Sequence, residues 1–388
     1  MPTITCFPLD NADCSRIDLD DGRSILVDFA AVATDDPSDK RVDLPAELRA
    51  HLSRNKKDGY EAVAFTHFDN DHICGASDFF WFDRYEKYQG EGRAKIGTLM
   101  VPAVAILETG NTGDSRLIRD EARHRLVKGY GIRVFSTPGL LTDWLRDRGI
   151  DPATRAHLFT DAGELVPEFT LERDRFEMFA HSPFATRSEQ GLKPNRNGDC
   201  LGFQAVFDVN GRLTRALFLA DLRANEIDQI VAITEWHAKN PDHPDPSRFD
   251  RLRWDVFHLP HHSSYLSLHP SERGSRKTTP LPNVARLFED YGEPQSILIS
   301  PSRPVRRYKD NDPPHPEAAA YYKDVAEGHG NRRNYVVTME HPTPGQPKPL
   351  VIAITVNGAT VANATPPGWG AGPVVGGATP SSSAIDHG

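Results

Sequence analysis

Apolar residues along this chain gather in short runs that stop abruptly at polar ones. Ser24-Ile25-Leu26-Val27 ends at Asp28, and Tyr60 to Phe65 ends at Thr66-His67. Leu217-Phe218-Leu219-Ala220 ends at Asp221, and Trp254 to Leu259 ends at Pro260-His261-His262. Runs of this length and composition predict buried strands. Thr3 to Leu9 and Ser15 to Leu19 come first, punctuated by Asn11-Ala12-Asp13-Cys14 and Asp20-Asp21-Gly22, so the chain opens as a β-meander. Leu44 to Arg54 has helical spacing and precedes the strand into His67, and this strand-helix-strand order predicts an α/β layer fold. Ala76 to Tyr88, rich in aromatics, reads as a helix. Leu201 to Val209 and Leu213 to Ala220 read as a hairpin around Asn210-Gly211, and Ala224 to His237 and Glu317 to Val325 as helices. Late strands are expected at Ser296 to Ser300, Tyr335 to Met339 and Leu350 to Val356. The stretch from about 90 to 196 has mixed signals, with strands at Thr98 to Pro102 and Phe176 to Ala180 and helices near Arg116 to Lys128 and Leu140 to Arg148, and is expected to be an inserted helical region over the site. Residues 363–388 shift to Gly, Pro, Ser and Ala and are expected to be a disordered tail, leaving 1–362 as the folded domain.

Composition narrows the class. With 388 residues, 38% of them hydrophobic, the chain can fill a large core. No apolar stretch approaches the roughly 18 to 20 residues that cross a bilayer, and the N-terminus lacks a signal-peptide pattern, so no membrane partner and a cytoplasmic address are expected. Cys6, Cys14, Cys74 and Cys200 show no CxxC spacing and read as reduced thiols. A net charge of −9 argues against indiscriminate nucleic-acid binding over the whole surface. Local charge differs: Arg303, Arg306, Arg307 and Lys309, flanked by Arg273, Arg276, Lys277, Arg332 and Arg333, read either as a solvated loop face or as a basic rim for an anionic substrate.

The polar ends of the strands carry the chemistry. His67, Asp69, Asp71 and His72 place two imidazoles and two carboxylates within six residues. Neutral imidazole with carboxylate suits Zn²⁺, Mn²⁺ or Fe, whereas Ca²⁺ and Mg²⁺ prefer oxygen shells. Asp221 ends a buried strand and is placed to bring a carboxylate to a sheet edge. Of His261 and His262, adjacent on an extended chain, one is expected to reach the metal, with His261 preferred, and the other to pack or meet substrate.

Together these segments resemble the metallo-β-lactamase superfamily, and within it the hydrolase domain of the ComEC competence proteins and their soluble relatives. The first motif there is usually HxHxDH; His67-Phe68-Asp69-Asn70-Asp71-His72 has Asp at the second ligand position, as in the ComEC-like branch. Asp28 matches the aspartate that buttresses the site from an early strand. Asn197-Gly198-Asp199-Cys200-Leu201 resembles the branch's NxxS segment with Cys for Ser, Ala220-Asp221 stands for Gly-Asp, and Pro260-His261-His262-Ser263-Ser264 looks like PHHGS with Ser for Gly. Ser300 and the later His315-Pro316 match a serine-ended strand and a loop closing in His-Pro, which brings His315 toward the site. The middle of the chain matches poorly; His181 is its one suitable further imidazole, with Asn197 and Asp199 as alternative supports.

The resemblance implies an αββα sandwich of two mixed sheets with the site on one edge, and two divalent ions, Zn²⁺ or Mn²⁺. His67, Asp69 and Asp221 would hold one ion and Asp71, His72, Asp221 and His261 the other. Asp71 would orient a metal-bound hydroxide, and His262 or His315 would protonate the leaving group or contact phosphate. The expected activity is that of a phosphodiesterase or nuclease, with nucleic acid as substrate. Two alternatives stand beside it: hydrolysis of a small ester, lactone, thioester or amide, and a non-catalytic, metal-stabilised module of a multi-protein defence system.

Overall fold

Within each strand, alternate side chains enter different cores, and that alternation sets the layers. The computed structural model describes residues 1–185 and 196–362. Its strands are β1 (Thr3–Cys6), β2 (Ser15–Asp18), β3 (Ser24–Val27), β4 (Gly59–Ala64), β5 (Lys95–Pro102), β6 (Ile132–Phe135), β7 (Phe159–Thr160), β8 (Phe176–Ser182), β9 (Gly202–Val209), β10 (Arg212–Phe218), β11 (Trp254–His258), β12 (Gly292–Ser300), β13 (Tyr335–Val337), β14 (Leu350–Thr355) and β15 (Gly358–Val361). Nine form one sheet in the order β15-β14-β1-β2-β3-β4-β5-β6-β7, and six form the other in the order β13-β12-β11-β10-β9-β8. Both sheets are mixed: β3 to β7 run parallel beside an antiparallel meander, and β10 to β13 run parallel beside the β8–β9–β10 antiparallel set.

Ile25, Val27, Ala62 and Ala64 of the first sheet share a core with Phe203, Ala205, Phe218, Val256 and Ile299 of the second. The alternate residues Leu26, Val63 and Leu99 face away, onto α1 (Leu44–Asn55), α5 (Gly113–Lys128) and α6 (Gly139–Arg146). On the far side of the second sheet, Leu217, Phe257 and Leu298 pack on α8 (Ala224–Lys239), α9 (Pro282–Glu289) and α10 (Pro316–Gly328). Short helices α2 (Asn70–Ile73), α3 (Ala76–Phe79), α4 (Ala103–Leu107) and α7 (Leu171–Asp174) fill the connections. The result is α/β, two mixed sheets flanked by helices, compatible with the expected αββα sandwich. Among the described residues no helix is long and apolar enough to cross a membrane.

Two expectations change. The segment from about 90 to 196 is not an inserted helical region: it supplies β5, β6 and β7 to the larger sheet and β8 to the smaller one. The strands expected at Thr98 to Pro102 and Phe176 to Ala180 fall in β5 and β8, whereas β6 and β7, of four and two residues, are too short to leave a pattern. The helix expected from Ala76 to Tyr88 stops at Phe79; Phe80 leaves it to bridge Ala94, and Phe79, Phe80 and Phe82 all bury in the helix-side core. The tail expected at 363–388 lies outside the described residues.

Parallel pairing positions the site. Because β3 pairs parallel with β4, β10 with β11, and β11 with β12, their carboxyl ends emerge along one edge of the two-sheet stack. Leu201 N–H donates to the Thr66 carbonyl at 2.9 Å, tying the two sheets together at that edge.

Candidate metal centre

Asp221, three residues past β10, lies at the middle of the site and faces two groups with its two oxygens. Its Oδ1 is 3.3 Å from His72 Nε2 and 3.8 Å from His262 Nε2, and His262 Nε2 is 3.4 Å from Asp71 Oδ2. Its Oδ2 is 4.0 Å from His67 Nε2 and 3.9 Å from His261 Nε2, with Asp69 Oδ2 3.6 Å from His67 Nε2. Asp71, His72, Asp221 and His262 together form a group that could hold a metal ion, each offering one donor atom within 4.8 Å of the others.

The imidazoles are aimed by their other nitrogens. Asp28 takes Thr66 N–H at 2.7 Å on Oδ1, and on Oδ2 both the Thr66 hydroxyl at 2.7 Å and His72 Nδ1–H at 2.8 Å. With its proton committed to Asp28, Thr66 Oγ1 accepts from His67 Nδ1, 3.1 Å away. His262 Nδ1 lies 2.8 Å from the Pro301 carbonyl, which can only accept. All three rings are therefore held as Nδ1–H tautomers when neutral, with the Nε2 lone pairs pointing inward. Those Nε2 atoms are buried and have no hydrogen-bond partner among the described residues. Orphaned polar atoms are costly inside a fold, and three converging on one carboxylate match the donor chemistry of a borderline divalent cation.

Charge in the metal-free pocket is polarised. Burial alone raises a carboxyl, yet His261, His72 and His262 hold Asp221 well below the usual range. Asp71 is likewise opposed by burial but brought down to about 2 by His262 and His72. Burial lowers His262, but Asp221 and Asp71 overcome it and raise the ring to about 9. His72, also opposed by burial, is raised by Asp28 and Asp221. His67 has burial and His72 against it and falls to about 4. The facing carboxylates thus favour a positive charge on His72 and His262, a proton or a cation, at the inward nitrogens.

Local backbone strain makes this geometry possible. Asp28 (φ 59°), Ala220 (φ 44°), His261 (φ 49°), His262 (φ 52°) and Ser263 (φ 62°) are all left-handed without being glycine. Each such residue costs on the order of 1–3 kcal/mol, and such outliers gather at functional sites. Three in succession turn the chain sharply after β11. This run, rather than strand alternation, separates the two rings: His262 joins Asp71 and His72, while His261, the ring preferred from the sequence, lies on the Oδ2 side with a side chain 15% exposed.

The other expected positions divide. Asn197 Nδ2 is 3.4 Å from Asp221 Oδ2, on the Oδ2 side, and Asp199 is buried nearby in sequence. Cys200 is buried, its thiol pointing to the Asn197 and Leu219 carbonyls. His181 is not brought to the centre: its Nε2 donates to the Arg251 carbonyl at 2.9 Å and its ring packs on Phe179. His315 is not a free acid, since Nδ1 accepts from Tyr265 N–H at 3.2 Å and Nε2 lies 3.1 Å from the Asn311 carbonyl. It braces the His-Pro loop instead. The basic rim is largely spent: Arg303 pairs with Asp310 at 2.9 Å and stacks on Tyr308, and Arg307 pairs with Glu317. Arg306 and Lys309 are exposed, with no ion pair among the described residues; Arg306 borders a recess of about 620 Å³ beside Asp10 and Asp39.

Residues unremarked in the sequence complete the pocket. Arg196 donates to Asp69 Oδ1 at 2.9 Å, to Glu108 Oε1 at 2.8 Å and to the Phe68 carbonyl at 2.8 Å, which explains why Asp69, at the N-cap of α2, makes no capping bond. Asp13 N–H donates to the Asp71 carbonyl at 2.9 Å, and Asp13 Oδ1 is 3.4 Å from His258 Nε2. Position beside the Asn197 segment was the one signal for Arg196; nothing local marked Asp13 or His258. No protein-family model matches this chain, and no curated protein does.

Proposed function

We propose that the chain is a metal-dependent hydrolase of the metallo-β-lactamase fold acting on phosphodiesters. The observation that carries this reading is the convergence of three tautomer-fixed, unpartnered Nε2 atoms on a carboxylate that faces two donor groups. Asp71, His72, Asp221 and His262 would hold one divalent ion, Zn²⁺ or Mn²⁺, and His67, Asp69 and Asp221 a second. Bound cations would bring the pKa of coordinated water down from about 15.7 toward 7 and polarise the scissile phosphoryl oxygen.

The chain's own groups supply the rest. Asp71, on the rim of the buried set, orients the attacking water. His261, kept below its ordinary pKa mainly by burial, is neutral at pH 7 and can take the proton that water loses and pass it to the leaving oxygen. Arg196 fixes Asp69 and leaves its exposed edge toward incoming substrate.

A second reading, hydrolysis of a small ester or lactone, is favoured by one observation: Asp310 and Glu317 neutralise two guanidiniums of the rim once expected to take a polyanion. One experiment separates the two. Purified protein, assayed for metal content, is given bis(p-nitrophenyl) phosphate, single- and double-stranded DNA, RNA and a lactone panel, beside Asp71→Asn. Metal-dependent phosphodiester cleavage that the variant loses supports the proposal. Lactone turnover alone would replace it with the second reading, and equal cleavage by the variant would refute the assigned site.

A further inference from the structure

The helical face formed by α5 and α6 gathers guanidiniums beside aromatic rings. Arg84, Tyr85, Arg123, His124, Trp144 and Arg148 line a recess of about 400 Å³. None of the three arginines forms an ion pair among the described residues, whereas most guanidiniums elsewhere on this acidic protein are matched to a carboxylate. Asp120, the one acid at the recess, is already shared between Arg119 at 3.0 Å and Arg116 at 3.7 Å and accepts from Tyr85 Oη at 2.9 Å. Arg148 lies 3.7 Å over the Trp144 ring and Arg123 5.8 Å from it, while Arg84 lies 5.2 Å over Tyr85. Burial and then the charge of Arg119 press the Arg123 guanidinium below its ordinary pKa; Asp120 partly offsets them and Arg148 adds repulsion that an anion would relieve.

This face is mechanically tied to the candidate centre. The helix α5 packs against α2, which carries Asp71 and His72. Arg119 and Arg123 both reach the Glu108 carbonyl, and the Glu108 side chain pairs with Arg196, the partner of Asp69.

We propose that the α5–α6 face is a binding surface for single-stranded nucleic acid, engaging the strand beyond the phosphodiester held at the Asp221 centre. Guanidiniums alternating with a Trp and a Tyr ring meet both halves of such a ligand: phosphates by charge, and bases by stacking that does not depend on sequence. An acidic polypeptide would use the charges and leave the rings idle. The inference deepens the phosphodiesterase reading and names its substrate class, but its binding test stands apart from turnover.

The test uses the full chain in EDTA, with anisotropy of a labelled single-stranded oligonucleotide measured across a salt series. Arg84→Glu/Arg148→Glu removes two exposed cations that make no ion pair; Trp144→Ala removes the stacking ring; a thermal melt confirms that each variant is folded. The double variant should bind at least about tenfold more weakly, with a salt slope shallower by about 1.4, corresponding to two phosphate contacts at about 0.7 each. Turnover of bis(p-nitrophenyl) phosphate by the metal-loaded variant should match wild type. Wild-type affinity and slope in the folded double variant would overturn the proposal. So would polyglutamate competing as well as oligonucleotide, with Trp144→Ala without effect, because the partner would then be an acidic polypeptide. Failure of wild type to cleave any phosphodiester would sink the hydrolase reading while the binding result still decided this one.

Discussion

Two regions of this molecule bury histidine equally deeply and to opposite effect. At the sheet edge, His67, His72 and His262 each have one nitrogen tethered and the other left without a hydrogen-bond partner, facing the Asp221 carboxylate. Between β8 and the 3₁₀ turn at Pro246–Arg251, His181 is just as enclosed, but its Nε2 is satisfied by a carbonyl and its surroundings are aromatic. Burial pushes the His181 ring down to about 4, whereas two carboxylates lift His262 to about 9. Enclosure is therefore not what distinguishes a ligand from a core histidine. The distinction lies in a carbonyl, carboxylate or hydroxyl acceptor holding one nitrogen while the other is left toward negative charge.

The strongest attempt to break this contrast is Asp221→Asn. It removes the charge shared by both donor groups and should abolish metal retention on gel filtration and lower phosphodiester turnover by about 10³-fold, which is about 4 kcal/mol of barrier. His181→Phe should leave metal content and turnover unchanged. If His181→Phe strips the metal instead, the assignment of the two regions is inverted.

Asp28→Asn tests the tether. It leaves every proposed ligand in place but weakens the bonds to His72 and Thr66, and a loss of about 10–100-fold in metal affinity by competition titration is expected. Arg196→Ala should act more mildly and selectively, loosening Asp69 and hence the second ion more than the first. A stoichiometry falling from two ions toward one checks this.

The smallest effect is on stability and has opposite signs in the two regions. His262 has a folded pKa above its unfolded value near 6.5, so in EDTA its contribution is present below pH 6.5 and is lost as pH rises through about 9. His181 has a folded pKa below 6.5, so its contribution is present above that value and is lost as pH falls toward 4. Melting of His262→Ala and His181→Phe against wild type across pH 4 to 9.5, without metal, should show wild type losing its relative advantage over the first at high pH and over the second at low pH. Added metal should suppress only the high-pH loss, because cation binding displaces the His262 proton.

Much of this was readable in the chain, for a physical reason. Strands that stop at metal-competent side chains announce themselves, since an apolar run and a polar stop are both local; His67 to His72, Asp221 and His261-His262 were found that way, and Asp28 through the family resemblance. The choice between His261 and His262 was not readable, because it turns on three consecutive left-handed residues that no propensity favours without glycine. Nor were Arg303, Arg307 and His315: their partners Asp310, Glu317 and the Asn311 carbonyl are close in sequence, but pairing depends on how one loop folds back. Arg196 had only its place beside the Asn197 segment to mark it, and the Asp13–His258 pair, which depends on the meeting of two sheets, leaves no local trace.

That meeting has a consequence for assembly. His67 to His72 emerge from the larger sheet and Asp221 to His262 from the smaller, so the pocket exists only once the two have docked. An ion held there would act as a rivet through the sandwich, binding the joined form and not the separate layers, and so would add to the cohesion of the whole fold with the logarithm of its supply.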